Sequence, residues 1–233
     1  MREIIFDTET TGLDPRTGHR LVEIGCIELI DRRESGRTFH AYFHPERDMP
    51  AEAEAVHGLS IQFLSDKPLF AARVDELLDF LGDAPMVAHN AAFDFGFVNA
   101  ELARVGRPPL DMARMCCTVQ MARKLHPGAK HSLDALCTRY GIDRSHRVKH
   151  GALLDAELLA HLYIEMTGGR QIALGLAAEP AATPRGAEPA PIRPVAPARP
   201  FREPRPHGAT PAELARHAEF VATLNQPLWH DSP

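Results

Sequence analysis

Phe6-Asp7-Thr8-Glu9-Thr10-Thr11-Gly12 is the stretch that decides how this chain is read. Ile4, Ile5 and Phe6 lead into it and Gly12 closes it. Alternate side chains of a strand share a face, so Asp7 and Glu9 point the same way, with Ile5 behind them. Two neighbouring carboxylates at the end of a buried strand repel each other and lose hydration. A divalent cation with oxygen ligands between them relieves both penalties. On these seven residues alone, an edge strand with two solvated acids fits equally well.

Working outward, Leu13-Asp14-Pro15-Arg16-Thr17-Gly18 carries turn residues. Leu21 to Ile30 reads as a second strand. Thr38 to His44 alternates as a third, joined to it by a hairpin connection over Arg32 to Gly36. Pro45 to Ser65, with Glu52 and His57, reads as a loop. Val74, Leu77, Leu78 and Leu81 form one stripe of a helix over Leu69 to Leu81. A short buried strand over Pro85 to His89 precedes a helix from Ala91 to Val105, stopped by Gly106 and Pro108. Met112 to Thr118 reads as another strand. Ser132 caps a helix to Tyr140, and Gly151 to Met166 is a long helix stopped by Gly168-Gly169. Three strands followed by alternating helices and strands predict an α/β fold, a mixed five-stranded sheet with its antiparallel part first.

Two further acids occupy apolar surroundings. Asp155 shares a helix face with Leu158, Leu159, Leu162 and Met166. Asp94 sits among Phe93, Phe95, Phe97 and Val98. An unpaired carboxylate in such a place costs about several kcal/mol. Either acid alone reads as exposed or as a cap. Asp7, Glu9, Asp94 and Asp155 together are explained by a shared cation. Carboxylates without thiolates point to Mg²⁺ or Mn²⁺ rather than zinc. Two such ions suit in-line hydrolysis of a phosphodiester. His150, in Lys149-His150-Gly151-Ala152-Leu153-Leu154-Asp155, precedes the helix that carries Asp155. A neutral imidazole there is placed to take a proton from the attacking water.

Asp7-x-Glu9, His89-Asn90-x-x-Phe93-Asp94 and His150-x-x-x-x-Asp155 resemble the three-motif signature of the DEDDh family of 3′→5′ exonucleases. More narrowly, Phe6 to Leu13 and His150 to Ala156 resemble the proofreading, or epsilon, branch of bacterial DNA polymerase III. The likeness covers about residues 2 to 170, and every catalytic position is filled. It implies a ribonuclease-H-like fold and two divalent ions held by Asp7, Glu9, Asp94 and Asp155, with His150 as proton acceptor. It places Glu52 and His57 at the nucleotide, with Thr10 and Leu13 against the terminal sugar and base; Asp7, Glu9 and Asp155 also face the substrate. Phe93 packs near the site or in the core. A frayed, mismatched 3′ end is the cheapest to unpair, which supplies selectivity before chemistry. An alternative on the same site is a free-standing exonuclease for RNA 3′ ends or short oligonucleotides.

Residues 1–169 are expected to form the nuclease domain. From residue 170 to 209 the chain is rich in Pro, Ala and Arg, the composition of an extended linker. Residues 210–233 open with Thr210-Pro211-Ala212-Glu213, a capping box with proline at the first helical position. Leu214, Ala218, Val221 and Leu224 form a stripe, and Trp229 follows. The resemblance implies that this segment docks on the polymerase (alpha) subunit, with Leu214, Val221 and Trp229 as anchors. Gln171-Ile172-Ala173-Leu174-Gly175-Leu176 resembles a weak sliding-clamp peptide anchored by Gln171, Leu174 and Leu176, without the usual paired bulky end.

Composition agrees with such an enzyme. The chain has 233 residues, 44% of them hydrophobic, and a net charge of −5, so no global basic field coats a duplex. That leaves room for an enzyme gripping a strand end through metals. No apolar run approaches a membrane span, and no signal core follows a basic start, so a cytoplasmic location is expected. Cys26, Cys116, Cys117 and Cys137 lack metal spacing and read as buried free thiols.

Overall fold

A computed structural model describes residues 1–145, 147, 149–168 and 208–224. The chain divides into two units, Met1–Ala177 and Ala178–Pro233.

The first unit is built on a sheet of β1 (Arg2–Thr10), β2 (Leu21–Ile30), β3 (Arg33–Tyr42), β4 (Met86–Ala88) and β5 (Met115–Cys117). Their spatial order is β3-β2-β1-β4-β5. β1 runs antiparallel to β2 and parallel to β4, so it stands where the sheet changes sense. The helices are α1 (Ala51–His57), α2 (Ile61–Leu64), α3 (Phe70–Leu81), α4 (Ala92–Arg104), α5 (Thr118–Leu125), α6 (Leu133–Tyr140) and α7 (Ala152–Met166).

The alternation along β1 divides the core. Ile4 and Phe6 join Phe95, Phe97 and Leu77 in the layer of α3 and α4. Ile5 joins Val87, Leu159 and Leu162 in the layer of α7. The period of two thus puts apolar residues on both faces of one strand, as burial on both sides requires. α7 lies directly on the sheet because Gly25 has no side chain. A Cβ there would stand 2.3 Å from the Leu153 nitrogen and 2.5 Å from the Ala152 carbonyl carbon. Arg20 fastens the loop after β1 to α4, donating from Nε and Nη2 to the two oxygens of buried Glu101 at 2.7 and 2.9 Å.

Several boundaries differ from those read in the sequence. The β2–β3 connection is a two-residue turn at Asp31 and Arg32, both left-handed (φ 49° and 61°), rather than Arg32 to Gly36. Such a turn matches the strand twist but usually carries Asn-Gly, which is absent here. Pro45 to Ser65 is not all loop; it contains α1 and α2. α1 buries only His57, so it shows no apolar stripe, and its Ala/Glu composition is what makes it helical. The strand expected over Met112 to Thr118 shrinks to β5, preceded by a 3-10 turn at Met112–Arg114 and followed by α5. α5 buries only Thr118 and Ala122, too little for a periodic signal. The Cys26 and Cys137 thiols are buried, whereas Cys116 and Cys117 are half-buried; all four are free.

In the second unit, α8 (Pro211–Ala222) begins as expected. Thr210 accepts from the Glu213 backbone, Glu213 reaches back to Thr210, and Pro211 takes the first turn. Leu214 and Val221 belong to this element; Leu214 is exposed, whereas Val221, expected as a docking anchor, is buried. Gln171, Leu174, Leu176 and Trp229 lie outside the described residues. No helix among the described residues is long and apolar enough to cross a membrane.

Candidate active site

The carboxyl end of β1 carries the acids. Asp7 pairs in register with Gly25, and Glu9 with Glu23, before a bulge between Glu9 and Thr10 breaks the ladder. Bulges of this kind re-aim side chains at the ends of pairing. Asp7 and Glu9 share the face toward α7, as alternation requires. Asp155 enters from the first turn of α7, its helix set flush on Gly25. Asp94 comes from the first turn of α4 on the opposite layer, where Thr8 donates to it at 2.7 Å. Thr8 points away from Asp7 and Glu9, and so reaches the acid arriving from the other face.

One cavity of about 310 Å³ is lined by Asp7, Glu9, Asp94 and Asp155 together with His150, Arg147, Phe93 and His89. Oxygens of Glu9 and Asp155 and a nitrogen of His150 all lie within 4.8 Å of one another. Glu9, Asp94 and Asp155 are buried, at 8%, 2% and 3% exposure; Asp7 is partly open. Burial, followed by the charges of Asp94, Glu9 and Asp155, holds the Asp7 carboxyl well above the usual carboxylate range. Burial, followed by Asp155 and Glu23, pushes Glu9 up to about 8. Burial raises Asp94 to about 7 against the pull of its bond from Thr8. Mutually destabilised oxygen donors of this kind fit a hard divalent cation, which supplies the missing positive charge.

His150 is half-exposed, its Nδ1 3.0 Å from an oxygen of Asp155. The expected proton acceptor therefore sits beside the acids. A second cavity, of about 530 Å³, opens alongside. Thr10, Leu13, Glu52, His57 and Phe93 line it. Leu13 is 86% exposed, an apolar side chain standing at the rim. His57 is buried, and its Nδ1 accepts from the Leu59 backbone at 3.0 Å. Its Nε2 has no hydrogen-bond partner, although the Thr10 backbone is near enough to draw its pKa up. Burial outweighs that pull and leaves the imidazole below its ordinary value, hence neutral. Phe93 packs on the core and lines both cavities, so both expectations for it hold.

Three participants were not singled out from the sequence. Glu23 is buried opposite Glu9 and bonded to His40 at 2.7 Å. Thr8 orients Asp94. Arg147 bonds Asp155 and His150 in the acid cavity. A cluster of buried acids calls for a countercharge, and Arg147, three residues before His150, was the available signal.

The fold and the acid-lined cavity define an exonuclease: residues 4–163 match the family described by that word. The chain is 53% identical over 176 residues to the DNA polymerase III subunit epsilon of Rickettsia felis, covering 74% of this chain and 77% of that one. It is 46% identical over 176 residues to the same subunit of Escherichia coli K12, covering 72% of each. The chain belongs to the exonuclease family and, within it, to the DNA polymerase III epsilon subunits. Among solved structures it is similar to exonuclease X in complex with 5′ overhanging duplex DNA, at 27% identity and TM-score 0.54 over 71% of this chain and 90% of that one. The nuclease domain of 3′hExo, a DEDDh family member bound to rAMP, shares the fold at 17% identity and TM-score 0.62, over 71% and 91%.

Proposed function

We propose that this 3′→5′ exonuclease proofreads primer ends as a subunit of the replicative polymerase, with Mg²⁺ or Mn²⁺ held by Asp7, Glu9, Asp94 and Asp155. The observation that carries the proposal is the convergence of these four acids in one cavity beside a larger, less polar one. When bound, two divalent ions would supply an activated water and stabilise the leaving 3′-oxygen.

The remaining work belongs to this chain's own residues. His150, beside Asp155, accepts the proton of the attacking water as a neutral imidazole. Its exposure leaves a route for that proton to solvent. The terminal nucleotide occupies the larger cavity, with Leu13 packed on the base and Thr10 and Glu52 at the sugar. His57 is neutral with Nδ1 already accepting, so its proton is on Nε2. That buried donor lacks a partner, and a nucleotide oxygen would satisfy it. None of these residues reads a base identity, so selectivity comes from the ease of unpairing a mismatch.

α8 supports a docking role for residues 210–233. Its capping box specifies a helix, and Leu214 and Phe220 are exposed. Residues 1–169 then act as the nuclease and 170–209 as its tether to the polymerase alpha subunit. Residues 171–176 are the segment offered to a sliding clamp. The test is degradation of a 3′-mismatched primer with Mg²⁺ by wild type and Asp7→Ala. Wild type should release 5′-mononucleotides and the variant none; activity that survives the substitution would refute the metal assignment.

A further inference from the structure

Arg147 holds more of this site than any other basic residue described. Its Nη2 donates to one oxygen of Asp155 at 2.6 Å and its Nε to the other at 2.5 Å, a bidentate pair that engages both carboxylate oxygens. Nη1 donates to Asp134 at 2.7 Å. Nη2 also lies 2.7 Å from Nδ1 of His150. The side chain is only 9% exposed, so this is a built arrangement and not a surface pair. Its charge is the one that pulls the Asp7 and Glu9 carboxyls back down.

Two consequences follow from the chemistry. A guanidinium bonded to both oxygens of a carboxylate competes with a divalent ion there, because one lone pair of each oxygen is already engaged and the positive charges repel. Arginine also has no acceptor, so a bond from it to His150 Nδ1 requires the tautomer with its proton on Nε2 and occupies the Nδ1 lone pair; in that tautomer the 3.0 Å approach of Nδ1 to Asp155 is a contact and not a hydrogen bond. One side chain thus engages an acid proposed as a metal ligand and the group proposed as the base.

We propose that Arg147 is an internal competitor of the divalent ion for Asp155, so that metal loading displaces its guanidinium and releases His150 to act as base. The inference rests on the metal reading above. Asp134 gives the displaced guanidinium a second carboxylate to remain on, which keeps its charge near the site. Competition of this kind lowers apparent metal affinity by the fraction of molecules in which Asp155 is not bonded to arginine. If about one molecule in ten has Asp155 clear, removing the competitor tightens binding about tenfold.

The experiment measures Mn²⁺ binding to the full chain by titration calorimetry, for wild type, Arg147→Ala and Arg147→Lys at one pH and ionic strength. Thermal unfolding is followed in chelator. Arg147→Ala should lower the Mn²⁺ Kd about tenfold while lowering the metal-free Tm, because the acids lose their countercharge. Arg147→Lys, which keeps the charge but not the fork, should tighten binding by a smaller factor and guards against misfolding of the alanine variant. A merely structural arginine would give the opposite sign, weaker binding in both variants. Equal or weaker Mn²⁺ affinity in both variants, with wild type binding normally, overturns the role of Arg147 alone. No Mn²⁺ binding by any of the three overturns the metal reading beneath it.

Discussion

Gly25→Ala tests whether the site depends on how closely α7 approaches the sheet. The added Cβ would lie 2.3 Å from the Leu153 nitrogen, and the three nearest atoms it meets are all backbone. Reaching ordinary contact of about 3.4 Å requires the helix start to retreat by roughly 1 Å. Asp155 is in that first turn, while Asp7 sits on β1 directly across from Gly25. The retreat therefore separates Asp155 from Asp7 and Glu9 without altering a polar atom. A misplacement of about 1 Å costs on the order of 10²-fold in rate, and the overpacking costs about 1–3 kcal/mol of stability. The assay is kcat/KM on a 3′-mismatched primer at saturating Mg²⁺, with Tm measured on the same preparation. Gly96→Ala is the control: Gly96 lies within α4 and a Cβ there meets nothing within 4 Å. It should keep activity and gain about 0.5–1 kcal/mol from helix propensity. A folded Gly25→Ala with wild-type kcat/KM would refute the claim that this contact sets the position of Asp155.

The metal-free protein should lose stability as pH rises. Asp94 and Glu9 titrate near 7 and 8 when folded, against values near 4 when unfolded, so the folded state holds extra protons between those limits. Their contribution is fully present below the unfolded values, declines at up to ~1.4 kcal/mol per pH unit for each group, and is gone above the folded ones. Tm in chelator should therefore fall between pH 5 and 8, and Glu9→Gln should flatten the fall; a slope unchanged in that variant would show that the acid is not strained. His150→Ala should reduce kcat by about 10²- to 10⁴-fold with an unchanged Tm, since the side chain is half-exposed; a wild-type rate removes it as base. Deleting residues 210–233 should abolish co-purification with the replicative polymerase while leaving degradation of a free mismatched primer intact, and retained co-purification would place the dock elsewhere.

The sheet, its mixed sense and the four acids were legible because each rests on a local pattern. β2 was read to its observed ends because every residue from Leu21 to Leu29 is buried and the run is rich in apolar and β-branched residues, interrupted only by Glu23, Gly25 and Glu28. Asp94 and Asp155 stood out because a carboxylate in an apolar stripe contradicts its own neighbours. What stayed hidden is what depends on partners far along the chain. Arg147 acquires its meaning from Asp134 and Asp155, eight or more residues away; its nearness to His150 is its one mark in the sequence, and nothing there indicates its burial. Gly25 reads as a weak point in a strand until Leu153 is seen against it. The short helices α1 and α5 bury too few residues to imprint a period on the sequence.

The position of the site follows from the sheet itself. Strand alternation commits Asp7 and Glu9 to the α7 layer and Thr8 to the α4 layer, so three consecutive residues address both halves of the core. The acids of α4 and α7 gather at the carboxyl end of the strand that separates them, where the β1 ladder shifts register between Glu9 and Thr10. Thr8 bonded to Asp94 and Gly25 bare beneath α7 are the two local features that bring those layers together at that point. The cluster is unfavourable by itself, as the raised carboxyls of Asp7, Glu9 and Asp94 show. Cooperative packing on both faces of β1 holds it together, and on the proposed metal reading that strain would give a cation its affinity: charge that destabilises the empty fold is charge the ion would neutralise.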